Sequence, residues 1–180
     1  MKYLQIKNPL FIKNRQMFTS KISSNTLAIF NSNDVMPTNA DGTMPFRQNN
    51  DIFWLSGVDQ EESVLLIYPD NEEEKEILFL KETNEHIAIW EGAKLDKREA
   101  LKVSGIRTVY WLSEMEDKLE ELISKSDGVY LNSNIHSRSA SEVETRDDRF
   151  RKMISEKYNK EILEVSPIMH ELRSIKSELE

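Results

Sequence analysis

"PFRQNNDIFWLSGVDQEESVLLI", residues 45–67, holds two dense apolar runs separated by a glycine and an acidic patch. The first run, Ile52–Leu55, shows no alternation of apolar and polar residues and stops at Gly57. A short continuous run of this kind reads as a strand buried on both faces. The second, Ser63–Tyr68, reads the same way. After it, Pro69-Asp70-Asn71 turns the chain toward a returning strand at Ile77–Leu80, which makes a hairpin. Arg47 and Gln48 stand at the entrance to the first run. A planar guanidinium and an amide placed there either brace the approaching loop through carbonyls or a carboxylate or contact a ligand directly.

Upstream, Asn8-Pro9 reads as an N-cap followed by proline at the first helical position. The spacing of Leu10, Phe11, Asn14, Met17, Phe18 and Ile22 predicts an amphipathic helix over 9–23. Thr26–Phe30 is a short apolar strand. The turn-rich stretch Asn31–Thr43 makes a long loop of the kind that often carries function. Downstream, Ile87–Trp90 reads as a strand ended by Glu91-Gly92, a turn that throws Trp90 outward.

Asp96 caps a helix through Val103 that Gly105 closes. Ser113-x-x-Glu116 forms a capping box ahead of the apolar face of Met115, Leu119, Leu122 and Ile123. Gly128–Leu131 is a further strand, and 139–158 a charged helix with the stripe Val143, Phe150, Met153, Ile154 and Tyr158. Ile162–Val165 makes the last strand. Pro167 then opens a helix running through Leu172 and Ile175 to Glu180. Strands and helices alternate after a central hairpin, so the class is α/β with a mixed β-sheet flanked by helices.

The 180 residues suit one domain with a proper core, and 38% hydrophobic with 31% charged residues is a globular composition. A net charge of −8 repels phosphate backbones and argues against nucleic acid. There is no cysteine, which excludes disulfides, thiolate metal sites and cysteine nucleophiles and fits a cytoplasmic protein. No run reaches the length needed to span a membrane.

Chemistry is sparse. His86, His136 and His170 stand in three separate elements with no short-range pairing. Asn39-x-Asp41-Gly42 invites a calcium-loop reading, but Pro37 occupies the first ligand position and Gln48 the bidentate one. No G-x-S-x-G, P-loop or G-x-G-x-x-G occurs. Trp90, at the head of Trp90-Glu91-Gly92-Ala93-Lys94-Leu95, is placed either to pack in the core or to stack on a substrate or partner. No catalytic or metal-binding set emerges from the residues.

The 45–67 stretch closely resembles the N-terminal domain of the Xaa-Pro aminopeptidases (aminopeptidase P), which carry a pattern like P-F-R-Q-x-S-D-F-x-Y-L-T-G-F-x-E-P-x-A-x-L-V-L. Pro45-Phe46-Arg47-Gln48, Asp51, Phe53, Leu55, Gly57, Glu61 and Leu65-Leu66 match it. "FNSNDVMPTNADGTMPF" (30–46) is similar to the family's R-N-x-D-x-x-Y-P-F, with Asn39 and Asp41 in register and Met44 in place of tyrosine. "IWEGAKL" (89–95) resembles its W-x-G-x-R-L turn, and "ELRSIKSELE" (171–180) its L-R-x-I-K-S-x-x-E linker. Departures are Asn50 for serine, Val58 for phenylalanine and Glu62 for proline.

The resemblance implies a ribonuclease-H-like, creatinase-type N-terminal α/β domain over 1–166 and a linker helix over 167–180. That helix would lead to a pita-bread catalytic domain absent from these residues. Such a protein removes the N-terminal residue preceding proline, using two divalent metals of the manganese type held by the catalytic domain. No cofactor is expected in this chain, which alone would be inactive. Implied partners are its own catalytic domain, neighbouring subunits of a homodimer or tetramer, and short proline-containing peptides. Trp90 carries over as the substrate-entrance candidate, while Arg47, Gln48 and Asp41 brace the loop. The alternatives are a prolidase and a non-enzymatic peptide-binding relative.

Overall fold

A computed structural model describes residues 6–133 and 143–180. Its strands are β1 (Thr26–Asn31), β2 (Val64–Ile67), β3 (Glu76–Leu80), β4 (Thr108–Trp111), β5 (Gly128–Leu131) and β6 (Glu161–Glu164). They form a mixed six-stranded sheet of order β4-β3-β2-β1-β5-β6. β2 runs antiparallel to both its neighbours, with Ala28 opposite Ile67 and Val64 opposite Phe79. The remaining pairs, β3–β4, β1–β5 and β5–β6, are parallel. Every strand except β2 therefore points the same way.

The continuous apolar runs follow from burial on both faces of the sheet. On one face, Ala28, Phe30, Leu65, Ile67, Leu78, Leu80 and Tyr130 pack against residues of four helices. These are α1 (Pro9–Thr19), α2 (Asn50–Ser56), α4 (Lys97–Ser104) and α7 (Ser166–Ser174). On the other face, Leu27, Ile29, Val64, Leu66, Phe79 and Val129 meet α5 (Met115–Lys125) and α6 (Arg146–Lys157). Short α3 (Glu85–Glu91) follows β3.

The fold corrects several expectations. Ile52–Leu55 is not a strand but the middle of α2. The Asn49 side chain caps that helix by accepting from Asp51 N at 2.8 Å, and Gly57 closes it at φ 70°. Ile52, Trp54 and Leu55 are all buried because α2 lies between α1, α4 and the sheet. Ile87–Trp90 is likewise helical, within α3. Asn84 Oδ1 accepts from Ile87 N at 2.9 Å, and no partner strand stands beside it among the described residues. Four consecutive apolar residues cannot by themselves separate these two states.

The half-buried edge strand β4 has no counterpart in the sequence reading. α1 ends at Thr19 rather than residue 23, and the Asn8 amide donates to Lys102 O at 3.1 Å instead of capping its own helix. Only half of a capping box forms, two residues early: Glu114 accepts from Trp111 N at 2.8 Å, and Ser113 Oγ donates to Glu82 at 2.6 Å. The helix expected over 139–158 is α6, and Val143 is exposed rather than part of its buried stripe; residues 139–142 lie outside the described residues. The terminal helix stops at Ser174, so 167–180 is only partly helical. The following turn brings Glu180 Oε1 to Trp54 Nε1 at 2.5 Å.

Candidate functional site

Trp90 projects from α3 with 81% of its surface exposed, beside Ile89 at 74%. Neighbouring ion pairs fix the segment: Lys81 Nζ lies 3.0 Å from Glu91 Oε2, and Lys94 pairs with Glu61. Burial is the largest single influence on Glu61 and opposes its ionisation, but the Lys94 hydrogen bond and charge, a backbone hydrogen bond and the Lys81 charge together hold the carboxyl below its ordinary value. The result is an aromatic–aliphatic pair facing outward.

Gln48 is buried. Its Nε2 lies 3.1 Å from Val58 O, 2.8 Å from Gln60 O and 3.2 Å from Ser63 Oγ, and its Oε1 accepts from Asn49 N at 2.8 Å. It thus joins the start of α2 to the loop that enters β2. Arg47 takes part through its peptide carbonyl, which accepts from Asn33 Nδ2 at 3.0 Å. Its guanidinium is exposed at the rim of a cavity. Asp41 is exposed on a turn closed by Thr38 N donating to Gly42 O at 2.9 Å. The structure does not gather Trp90 with these three. His86 is exposed on α3, His170 lines the cavity, and His136 lies outside the described residues.

The cavity, of about 740 Å³, opens where β1, β5 and β6 end, at the first turns of α2 and α6 and along α7. The crevice beyond the carboxyl ends of parallel strands is the usual ligand position of open α/β sheets. Its floor is charged. Asp147 Oδ1 accepts from Asn31 Nδ2 at 3.0 Å and Oδ2 from Asn132 Nδ2 at 3.1 Å. Ser166 Oγ lies 2.8 Å from Asn132 Oδ1, which orients that amide. Burial pushes the Asp147 carboxyl up to about 6; its two amide donors oppose the rise, and Asp51 and Asp148 add to it.

Asp51 pairs with Arg173 at 2.5 Å, yet burial outweighs that attraction and raises its carboxyl too. Arg146 reaches Ser32 Oγ at 2.8 Å. Burial brings its guanidinium below the ordinary value, with Asp34 and Glu62 opposing. Asp34 itself is held by Arg149 at 2.7 Å. Sequence reasoning missed this site because its residues come from separate stretches of the chain. Asp147 looks there like one carboxylate of a charged helix.

Among the described residues, no three His, Cys, Asp or Glu side chains are gathered closely enough to hold a metal ion.

The family model described as aminopeptidase P, N-terminal domain, matches residues 11–130. The chain belongs to that family. It is similar to the Xaa-Pro aminopeptidase of Escherichia coli, 25% identical over 176 residues that span 96% of this chain and 40% of that protein. The Xaa-Pro aminopeptidase of Haemophilus influenzae is 25% identical over 167 residues, 93% of this chain and 37% of that protein. The solved structure of Pseudomonas aeruginosa aminopeptidase PepP superposes with a TM-score of 0.83 at 20% identity, over 99% of this chain and 41% of that one. The chain thus spans about 40% of the length of the E. coli relative. This sheet and its flanking helices are the architecture of the family's N-terminal domains. No helix among the described residues is long and apolar enough to cross a membrane.

Proposed function

We propose that this chain is the non-catalytic N-terminal domain of a metal-dependent Xaa-Pro aminopeptidase, helping to assemble the oligomer and to shape the active-site entrance. Residues 1–166 form the domain, and 167–180 connect it to the catalytic part. The family match over residues 11–130 carries this reading. The share of the relatives that the chain spans supports it. Cleavage before proline, with two divalent cations of the manganese type, belongs to the longer protein in the cytoplasm. This chain contributes a wall. Trp90 and Ile89 supply the apolar surface for that role, since an exposed aromatic on a pinned helix suits packing against a short peptide or a neighbouring subunit.

The test is hydrolysis of Xaa-Pro tripeptides with added manganese by this chain and by its longer parent. Cleavage by the parent alone is expected, and cleavage by the isolated 180 residues would overturn the reading. In the parent, Trp90→Ala should lower kcat/KM for tripeptides and longer substrates about tenfold, the loss of an interaction of about 1.4 kcal/mol. Unchanged kinetics across peptide lengths would remove Trp90 from the entrance.

A further inference from the structure

We propose that the cavity at the carboxyl ends of β1, β5 and β6 binds a small zwitterion with an apolar side chain, a free α-amino acid or dipeptide. Its carboxylate would lie on Arg146 and its ammonium on Asp147. The assignment does not rest on the aminopeptidase reading. It begins from two part-buried charges that no opposite charge among the described residues contacts directly. Two other charges at the cavity are paired, Asp51 with Arg173 and Asp34 with Arg149, while Arg47 and Glu144 are exposed at its rim. Arg146 makes a hydrogen bond to the neutral Ser32 hydroxyl, and among the described residues no carboxylate stands within ion-pair distance of it. Asp147 is held by two neutral amides. Being consecutive on α6, Arg146 and Asp147 diverge rather than face each other.

Their anchors, Ser32 and Asn31, are also consecutive, so the cation and the anion meet adjacent positions at the end of β1. Each carboxylate oxygen of Asp147 keeps acceptor capacity beyond its one amide, and a guanidinium has donors to spare.

Charge then decides the ligand class. A pure anion would leave Asp147 opposed and a pure amine would leave Arg146 opposed, whereas a zwitterion satisfies both. The mouth of the cavity carries an apolar patch, Met36 40%, Met44 54% and Val143 55% exposed, among polar residues such as Arg47 and Glu144. Methionines adapt to varied apolar shapes, which suits side chains of different size. The volume of about 740 Å³ is of the order of small-molecule sites and leaves room for a dipeptide.

The experiment is isothermal titration calorimetry of the chain with L-leucine, N-acetyl-L-leucine and L-leucinamide. Saturable binding of L-leucine is expected, with each blocked analogue at least about tenfold weaker, as loss of a charged hydrogen bond implies. Arg146→Gln and Asp147→Asn should each abolish it, and Met44→Ala should weaken it while sparing the preference for the free zwitterion. Absence of L-leucine binding overturns the proposal, as do analogues that bind equally well and binding retained by Arg146→Gln. Circular dichroism reports whether each variant is folded. Should one unfold, the analogue series on the unaltered chain decides alone.

Discussion

Gln48→Leu tests how α2 is held to the sheet. The leucine keeps the volume and removes both polar ends of a side chain that is 6% exposed. Of the groups Gln48 touches, Gln60 O keeps a partner, because Ser63 Oγ also donates to it at 2.8 Å. Val58 O and Asn49 N lose the contacts they make to Gln48. A buried polar group left unpaired costs about 1–3 kcal/mol, and Asn49 N is only part-buried, so the expected loss is about 2–4 kcal/mol. For a domain of this size that lowers Tm by roughly 5–15 °C. Urea denaturation followed by far-UV circular dichroism measures it, with the midpoint falling at unchanged slope. Arg47→Ala is the paired control: its side chain is exposed and its carbonyl contact to Asn33 survives, so stability should stay within about 0.5 kcal/mol. Equal effects at 47 and 48, or a Gln48→Leu protein as stable as the parent, would refute the reasoning.

Three further outcomes follow from the same geometry. The Asp147 carboxyl is raised from 3.8 to about 6, so its share of stability is present below pH 4 and lost as pH climbs through 6. The parent should therefore lose about 3 kcal/mol relative to Asp147→Asn between pH 4 and pH 7.5, and a difference that stays flat across this range would contradict the burial argument. Arg173→Ala leaves the Asp51 carboxylate in a largely buried site without its cation. It should cost about 1–3 kcal/mol, less than a fully buried pair because Arg173 is partly exposed. An NMR titration should also find the Asp51 carboxyl raised further, and an unmoved Asp51 would show that the ion pair does not govern it. Gly57→Ala places a Cβ 2.2 Å from Phe11 Cε2 at a residue with φ +70°. Left-handed strain and overpacking together predict a loss of about 2–4 kcal/mol in chemical denaturation. A loss below about 1 kcal/mol would mean that Phe11 moves aside freely.

What could be read before folding divides along physical lines. β6, at the sheet edge, shows only Ile162 and Leu163 between two glutamates, but β1, β2, β5 and most of β3 announce themselves as apolar runs because helices cover both faces of the sheet there and bury them. The same signature misleads at Ile52–Leu55, where a helix is enclosed on several sides. Yet the sequence there also carries the boundary signals of a helix: Asn49 caps and Gly57 closes. The same spacing recurs from Asn84 to Gly92 around α3. Weighing caps against periodicity would have settled both segments. β4 escapes the sequence reading although Thr108-Val109-Tyr110-Trp111 is a β-branched and aromatic run with strand propensity; it is a half-exposed edge strand only four residues long. The cavity is harder still. Asn31, Asn132 and Asp147 converge only through the parallel pairing of β1 with β5 and the placement of α6, a tertiary fact that no local pattern encodes.

The direction of the strands links the two surfaces singled out here. Because β2 alone is reversed, β3 runs parallel to β1, and its carboxyl end, Leu80, lies at the same sheet edge as Asn31, Leu131 and Glu164. The chain leaving β3 enters α3 and Trp90; the chain leaving β1, β5 and β6 builds the cavity. The opposite edge receives the β2–β3 turn and the entries to β1 and β5. There Asp70 accepts from Asn25 N at 2.5 Å and Asp127 N donates to Asn25 O at 2.8 Å, contacts that close loops. Loops at the carboxyl edge lead to the exposed Trp90 and line the cavity besides carrying the Gln48 brace, whereas the described contacts at the amino edge only close loops. Substitutions at the amino edge should therefore register in stability alone. Those at Trp90 and Arg146 should register in binding, at positions 81% exposed on one helix and lining a cavity on another.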